Sequence, residues 1–449
     1  MSRKFFNKAI CATVIMLLSA VIARSQTSVS STPYSSFGIG DILNKGTAYN
    51  RSMGGVGVAG RDHLYINILN PAAVTARDSL SFMADFSLYS DNKIFRQGDM
   101  RSASNTFNIG DLAVSFPLWY KTAFMAGITP YSGSHFGYSY DIDDPNIIGH
   151  TGNISYTAIG SGGLYNVFAA FGADLFKGFS LGVQMDYYFG NTQKQYYETF
   201  TSSSYNGAKN GYNISLNGIG AKLGVQYKAP VGTRSSLIFG ATVSSPVKLR
   251  GEVEGYKYST GTAAVDTIFY KKDTLGVSVA SPTLPLEFSV GVAFKNGEKF
   301  MVEADYTRSC WKASGFDRIP GFMGNSSTAT GMSSFSTTVQ QSIRLGMEYT
   351  PNKYDVRYFF RRCTYRAGAF YRSDYYKLDG HGVNSFGLSA GMTLPVFGGY
   401  NGRCPNGLTI GVELGQRGSV VNNLIRERFI SFSIGVNIFD IWFQQPRYE

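Results

Sequence analysis

Two kinds of glycine motif in this sequence make a claim on chemistry. Gly55-Val56-Gly57-Val58-Ala59-Gly60 fits G-x-G-x-x-G, whose backbone N–H groups cradle a dinucleotide pyrophosphate, and Asp78 follows at a distance suited to a ribose contact. That chemistry needs a strand before the motif and a helix after it. Ile66 to Ala73, with Pro71 inside, is not that helix, so nucleotide binding is rejected. Gly178-Phe179-Ser180-Leu181-Gly182 and Gly387-Leu388-Ser389-Ala390-Gly391 fit G-x-S-x-G, the nucleophile elbow of hydrolases. Both lie in runs of period two, with Gly and Ser on one face and the apolar residue on the other, so no strained elbow is expected. Among 52 glycines, chance matches are expected. His63, His135, His150 and His381 are scattered without ligand spacing. Cys11 sits in the N-terminal apolar stretch, and Cys310, Cys363 and Cys404 are odd in number and widely spaced. They indicate neither a disulfide framework nor a zinc site, and a Cys363–Cys404 pair stays open. No catalytic residue, metal site or cofactor is expected, and no enzyme.

The elements that carry these residues are strands. No stretch after residue 23 stays apolar for the roughly 18 residues of a spanning helix, and the aromatic share of 15% excludes a disordered chain. Leu80, Phe82, Ala84, Phe86 and Leu88 alternate with Ser81, Met83, Asp85, Ser87 and Tyr89, and the same pattern recurs from Phe179 and from Arg428. These runs are about ten residues long, the length of a tilted strand crossing a bilayer rather than of a globular sandwich. Fourteen such segments lie between 80 and 439, with long links mostly after odd strands and short turns mostly after even ones; runs inside 248–283 leave sixteen open. The expected fold class is all-β, a transmembrane antiparallel β-barrel of about 14 strands. Asp85, Asp186, Glu287, Glu303, Asp305, Glu348, Glu413, Lys222 and Arg344 all fall opposite the apolar face. They are either a polar lumen tuned for a solute or a structural network that fills the barrel.

Arg3, Lys4 and Lys8, the apolar Ala9 to Ala23, and Ala23-Arg24-Ser25 before Gln26 read as a cleaved secretory signal over 1–25. Without its four basic residues the formal charge falls from +11 to +7, which in an exported chain points to outer-membrane lipid and lipopolysaccharide, not nucleic acid. Residues 26–79 are rich in Gly and Ser, hold Asn70-Pro71-Ala72, and precede the first convincing strand. Ahead of a closed barrel, such a segment is expected to fold inward as an N-terminal luminal plug or hatch. The barrel then covers 80–443, and 444–449 is a periplasmic tail.

The glycine run leading into Asn70-Pro71-Ala72, the fourteen strands and the aromatic close at Ile438-Phe439-Asp440-Ile441-Trp442-Phe443 resemble the FadL/TodX family of outer-membrane transport proteins. More narrowly they resemble its divergent branch that includes PorV of the type IX secretion system. Residues 444 to 449 depart from the aromatic ending usual in such barrels. The resemblance implies the outer membrane of a Gram-negative bacterium, an N-terminal hatch, and passage of small hydrophobic molecules through a lateral opening at a kink in the third strand. That strand carries Gly127, Pro130 and Gly133, so the opening is expected at Thr129-Pro130, where proline removes a ladder donor. Alternatively Pro130 simply ends the strand. A rival function is also open: a barrel that serves as a binding platform or subunit of a secretion or barrel-assembly machine. The turn at 351–364 is unusually long for a periplasmic one and sets Arg361 and Arg362 among Tyr358, Phe359 and other aromatics, the composition of a partner contact.

Overall fold

The computed structural model describes residues 30–78, 80–142, 148, 152–202, 204–259, 269–275, 281–324, 334–398, 405–422 and 424–441. The expected signal over 1–25, the tail at 444–449, His150 and Cys404 lie outside these residues. The strands close into a fourteen-stranded antiparallel barrel. In chain order they are β1 (Ser81–Gln97), β2 (Met100–Pro117), β3 (Thr122–Gly133, resumed as Phe136–Ile142), β4 (Ile154–Phe176), β5 (Phe179–Phe200), β6 (Ala208–Pro230) and β7 (Ser235–Ser244). Then come β8 (Glu287–Asn296), β9 (Phe300–Cys310), β10 (Val339–Tyr349), β11 (Thr364–Leu378), β12 (His381–Gly398), β13 (Pro405–Arg417) and β14 (Arg426–Ile441). The ring closes where β1 pairs with β14, from Ser81 opposite Ile441 to Arg96 opposite Arg426. Arg250–Ser259 and Phe269–Leu275 form a hairpin on the Ala208-to-Asn217 half of β6, so they extend that wall and do not bring the ring to sixteen.

The alternation read from the sequence is an inside-out core. Outward residues such as Met185 and Leu388 are 63% and 65% exposed, while the intervening Gln184, Asp186 and Ser389 are buried. Several strands run far past ten residues: β4 and β6 have 23 each and β5 has 22. Parts of the long links expected after the third and fifth strands are therefore strand. Beyond the bilayer neither face needs to be apolar, so the period-two signal ends while the ladder continues, as in Gly190 to Gln195. No described helix is long and apolar enough to cross a membrane.

Residues 30–78 form only short turns of helix, Pro33–Ser36, Ala48–Arg51 and Pro71–Thr75, and pack against the inward side of the ring. At one place they join the sheet. β2 and β3 pair only from Leu112 opposite Ile128 to Pro117 opposite Ala123. From Thr129 onward β3 turns away from β2, and Gly133 and Ser132 pair instead with Asp41 and Ile42. Among the described residues, Met100 to Ile109 of β2 has a ladder partner on the β1 side only.

Candidate functional site

A strand glycine has no Cβ, so a second backbone can lie directly on the sheet. Inward positions Gly182 (β5), Gly224 (β6), Gly240 (β7), Gly346 (β10) and Gly368 (β11) form such a seat for residues 53–72. A Cβ on Gly182 would collide with the Pro71 backbone, on Gly240 with the Val58 carbonyl, and on Gly368 with the Gly54 backbone. The period-two pattern puts Gly182 opposite the apolar face, but nothing in it shows that these glycines touch another chain segment. The signal was available as Gly recurring on the non-lipid face of several strands.

Asn70, Pro71 and Ala72 come together at the base of this seat and are buried. Asn70 caps the Pro71–Thr75 turn, its Oδ1 accepting from Ala72 N–H at 3.0 Å, while its Nδ2 donates to Val58 O at 2.7 Å and to Val225 O of β6 at 3.2 Å. Proline at the first position of the turn has no N–H to satisfy. One asparagine therefore ties the turn, the glycine run and the barrel wall together.

The G-x-G-x-x-G stretch does bind acidic groups, and they are the barrel's own. Gly57 and Val58 N–H donate to Asp305 Oδ2 at 2.7 and 3.0 Å, and Ala59 and Gly60 N–H donate to Glu303 Oε1 at 2.8 and 2.7 Å. Four successive donors converge on two carboxylates from one face of β9, an arrangement of the nest type. The two G-x-S-x-G serines act alike: Ser389 Oγ accepts from Gly54 N–H at 2.7 Å, and Ser180 Oγ accepts from Arg61 at 2.6 Å.

Ion pairs fix the rest of the segment. Arg366 of β11 pairs with Glu348 of β10 at 2.8 Å and lies 4.1 Å from the centre of the Tyr49 ring, which stacks on Tyr65. Lys45 meets Glu287 at 2.5 Å, and Arg344 Nη1 donates to Gly55 O at 3.2 Å. Asp41 accepts from Arg417 at 2.9 Å and from Ser30 at 2.9 Å, with Lys93 at 3.8 Å. Burial alone would raise the Asp41 carboxyl, but Arg417, Lys93 and Arg372 outweigh it and hold it at about 2. Burial opposes Asp62 too, yet Lys295 at 2.7 Å and His63 keep it well below the usual carboxylate range.

At the long-loop end an aromatic cluster closes over residues 34–42. Trp311, Phe316, Phe322, Tyr375 and Tyr376 are all buried with Tyr34, Phe37 stacks on Phe335 at 5.6 Å, and Gly38 N–H donates to Phe322 O at 2.6 Å. Three spaces between segment and strands are small, about 80, 70 and 70 Å³. A wider recess of about 430 Å³ opens at the short-turn end.

Of the other residues singled out in the sequence, Gly127, Pro130 and Gly133 lie along β3. Gly127 sits between Ala113 and Phe168, Pro130 opposite Tyr165 beside a register shift, and Gly133 opposite Asp41. Tyr358, Phe359, Arg361 and Arg362 form an exposed turn around the Phe359–Arg362 helix. Arg361 stacks on Tyr358 at 4.7 Å and pairs with Asp355 at 3.4 Å, while Arg362 stacks on Phe359 at 5.3 Å. Cys310 is exposed and Cys363 buried, both free thiols.

A closed fourteen-stranded antiparallel barrel with apolar residues outside and polar ones inside has the fold of FadL-like channels and resembles Gram-negative outer-membrane barrels. Solved structures agree at the level of fold. A Pseudomonas aeruginosa FadL homologue is 11% identical with a TM-score of 0.56, over 88% of this chain and 99% of its own. The Pseudomonas putida toluene transporter TodX is 15% identical with a TM-score of 0.56, over 90% and 100%. The Ralstonia pickettii toluene transporter TbuX is 14% identical with a TM-score of 0.54, over 88% and 98%. No curated relative matches the sequence. The BamG family matches residues 1–449, and the protein belongs to that family.

Proposed function

We propose that this protein is a non-conducting barrel that serves as a subunit of an outer-membrane barrel-assembly complex. In this reading residues 1–25 export the chain and are removed before Gln26, residues 30–78 are a permanent plug, and the short-turn end is the docking face. The observation that carries it is the filling of the interior. Inward groups such as Glu303, Asp305, Glu287 and Arg344 are engaged by the segment, and three spaces between it and the strands, about 70–80 Å³ each, fall below the roughly 150 Å³ of a cavity that admits benzene, while the wider recess of about 430 Å³ lies at the mouth. Membership of the BamG family supports the assembly context. The resemblance to the PorV-like branch points the same way. The exposed turn at 351–364 supplies aromatic and arginine groups of the kind that anchor protein contacts.

Crosslinked pull-down from native outer membranes tests this reading. A stoichiometric partner of the barrel-assembly machinery is the expected result; recovery of the barrel alone with lipid overturns it.

A second reading, passive entry of a small hydrophobic molecule, is favoured by the parting of β2 from β3 above Ile128, where β3 takes Asp41 and Ile42 as partners instead, and by the likeness to toluene transporters. Its test belongs to that pair of strands and is argued below.

A further inference from the structure

We propose that the recess at the short-turn mouth is a docking site for an acidic peptide segment of a partner protein. This rests on the platform reading and names the chemistry of its partner. The recess, about 430 Å³, is lined by Arg61, His63, Arg77, Lys228, Arg234 and Lys295, against one carboxylate, Glu298. Its volume falls within the roughly 300–1,000 Å³ of ligand pockets.

Some of this positive charge is answered locally. Arg61 pairs with Asp174 at 3.0 Å, Lys295 with Asp62 at 2.7 Å, and Glu298 with Lys353 at 3.1 Å and His63 at 3.5 Å. Among the described residues, Arg77, Lys228 and Arg234 have no carboxylate within ion-pair distance. Arg77 is held by neutral acceptors, its Nε donating to Val74 O at 3.0 Å and its other nitrogens to Ser81 O and Ser115 Oγ. Its charge is thus fixed in place and uncompensated. Lys228 and Arg234 are exposed on the end of β6 and the turn that follows it. Like charges gathered at a low-dielectric mouth repel one another and focus a field that an anion relieves.

The position of the recess selects the kind of anion. Arg61 and Arg77 belong to the N-terminal segment, and Ser236 and Ile238 are buried residues of β7, so the recess lies inside the ring, out of reach of bilayer headgroups around its perimeter. Its approach is along the barrel axis, from the periplasm. Beside it, Lys353 Nζ and Tyr354 OH reach Glu298 at 3.1 and 3.3 Å, which sets the exposed turn at 351–364 as an apolar shoulder to the basic recess. A peptide that places Asp or Glu side chains in the recess meets the uncompensated charges of Arg77 and Lys228 and the exposed guanidinium fork of Arg234, and its flanking apolar residues meet Tyr354.

Fluorescence anisotropy on the full-length protein in detergent tests this, with a fluorescein-labelled hexaglutamate peptide as probe and hexalysine as control. Saturable hexaglutamate binding that weakens with salt is expected. A Lys228→Glu/Arg234→Glu variant, altered only at exposed side chains, should bind at least tenfold more weakly with unchanged heat-dependent gel mobility. Absence of binding, equal binding by that variant, or displacement by inorganic phosphate at the concentration of the peptide overturns the assignment. Pull-down of the same proteins from native membranes separates the two proposals. A native complex unmoved by the double substitution refutes the recess and leaves the platform reading; peptide binding by a wild type without any native partner does the reverse.

Discussion

The most informative residues here are ones whose apparent chemistry is internal. Gly57 to Gly60 bind carboxylates 243 to 248 positions along the chain, and no spacing rule could name Glu303 and Asp305 as the ligands. What the sequence did carry was the negative result: without a following helix, the motif could not hold pyrophosphate. An Asp305→Ala substitution orphans two buried N–H donors, at about 1–3 kcal/mol each. It should expose residues 30–78 to protease in the folded barrel and lower the temperature at which the fast-migrating gel band is lost. Asp305→Asn, which keeps an acceptor, should do so less. Protection unchanged in the alanine variant would show that the nest contributes nothing. Asp41 gives a pH prediction. Its carboxyl is held at about 2, below the ordinary value near 3.8, so its contribution is fully present above that ordinary value and is lost as pH falls through the folded one. The shift corresponds to roughly 2–3 kcal/mol. Protease protection of residues 30–78 should therefore hold at pH 5 and fail only between about pH 4 and 2; loss near pH 6 would mean that Asp41 is not a main anchor.

At the scale of elements, strand positions were legible because the bilayer imposes an apolar outward face, and each of the fourteen segments falls on a barrel strand. Strand lengths were not legible, because outside the bilayer β4, β5 and β6 continue on hydrogen bonds with no apolar alternation. An opening is expected at Thr129-Pro130; the β2–β3 ladder ends at Ile128, and the partner that β3 takes beyond it is not one the local sequence names. Asp41 and Ile42, about ninety residues away, pair with the diverging end. Pro130 itself sits opposite Tyr165 of β4, next to the register shift. Pro130→Val alone should therefore leave the divergence intact. In proteoliposomes, uptake of the hydrophobic dye 1-N-phenylnaphthylamine should be no faster with wild type than with lipid alone, and the variant should match it. Faster uptake by wild type that slows in Pro130→Val at equal abundance would establish passage between β2 and β3.

For the whole molecule, the fold was readable and the task was not, because a barrel of this kind is a scaffold on which function depends on local sites. Orientation is the first thing to establish. A tag near 326–334, most of which lies outside the described residues, should be labelled on intact cells, and labelling only after permeabilisation would reverse the assignment of the docking face. The second is whether the turn at 351–364 meets protein or lipid. Tyr354, Val356 and Phe360 are 76%, 100% and 66% exposed, a composition that also suits a membrane interface. The arginines separate the two. Lipid headgroups respond to charge, so Arg361→Lys with Arg362→Lys should preserve an anchoring turn. Here, however, the Arg361 and Arg362 guanidiniums lie over the Tyr358 and Phe359 rings, 4.7 and 5.3 Å from their centres, and Arg361 also pairs with Asp355, contacts that lysine reproduces poorly. The double variant should assemble with normal abundance and heat-dependent mobility yet retain about tenfold less co-purifying partner, a loss of about 1.4 kcal/mol. Phe360→Ser should act in the same direction without touching charge, since Phe360 is an exposed ring beside that stack. Full retention of the partner in both variants would make the turn a lipid anchor and would leave the basic recess as the docking feature proposed for the short-turn end.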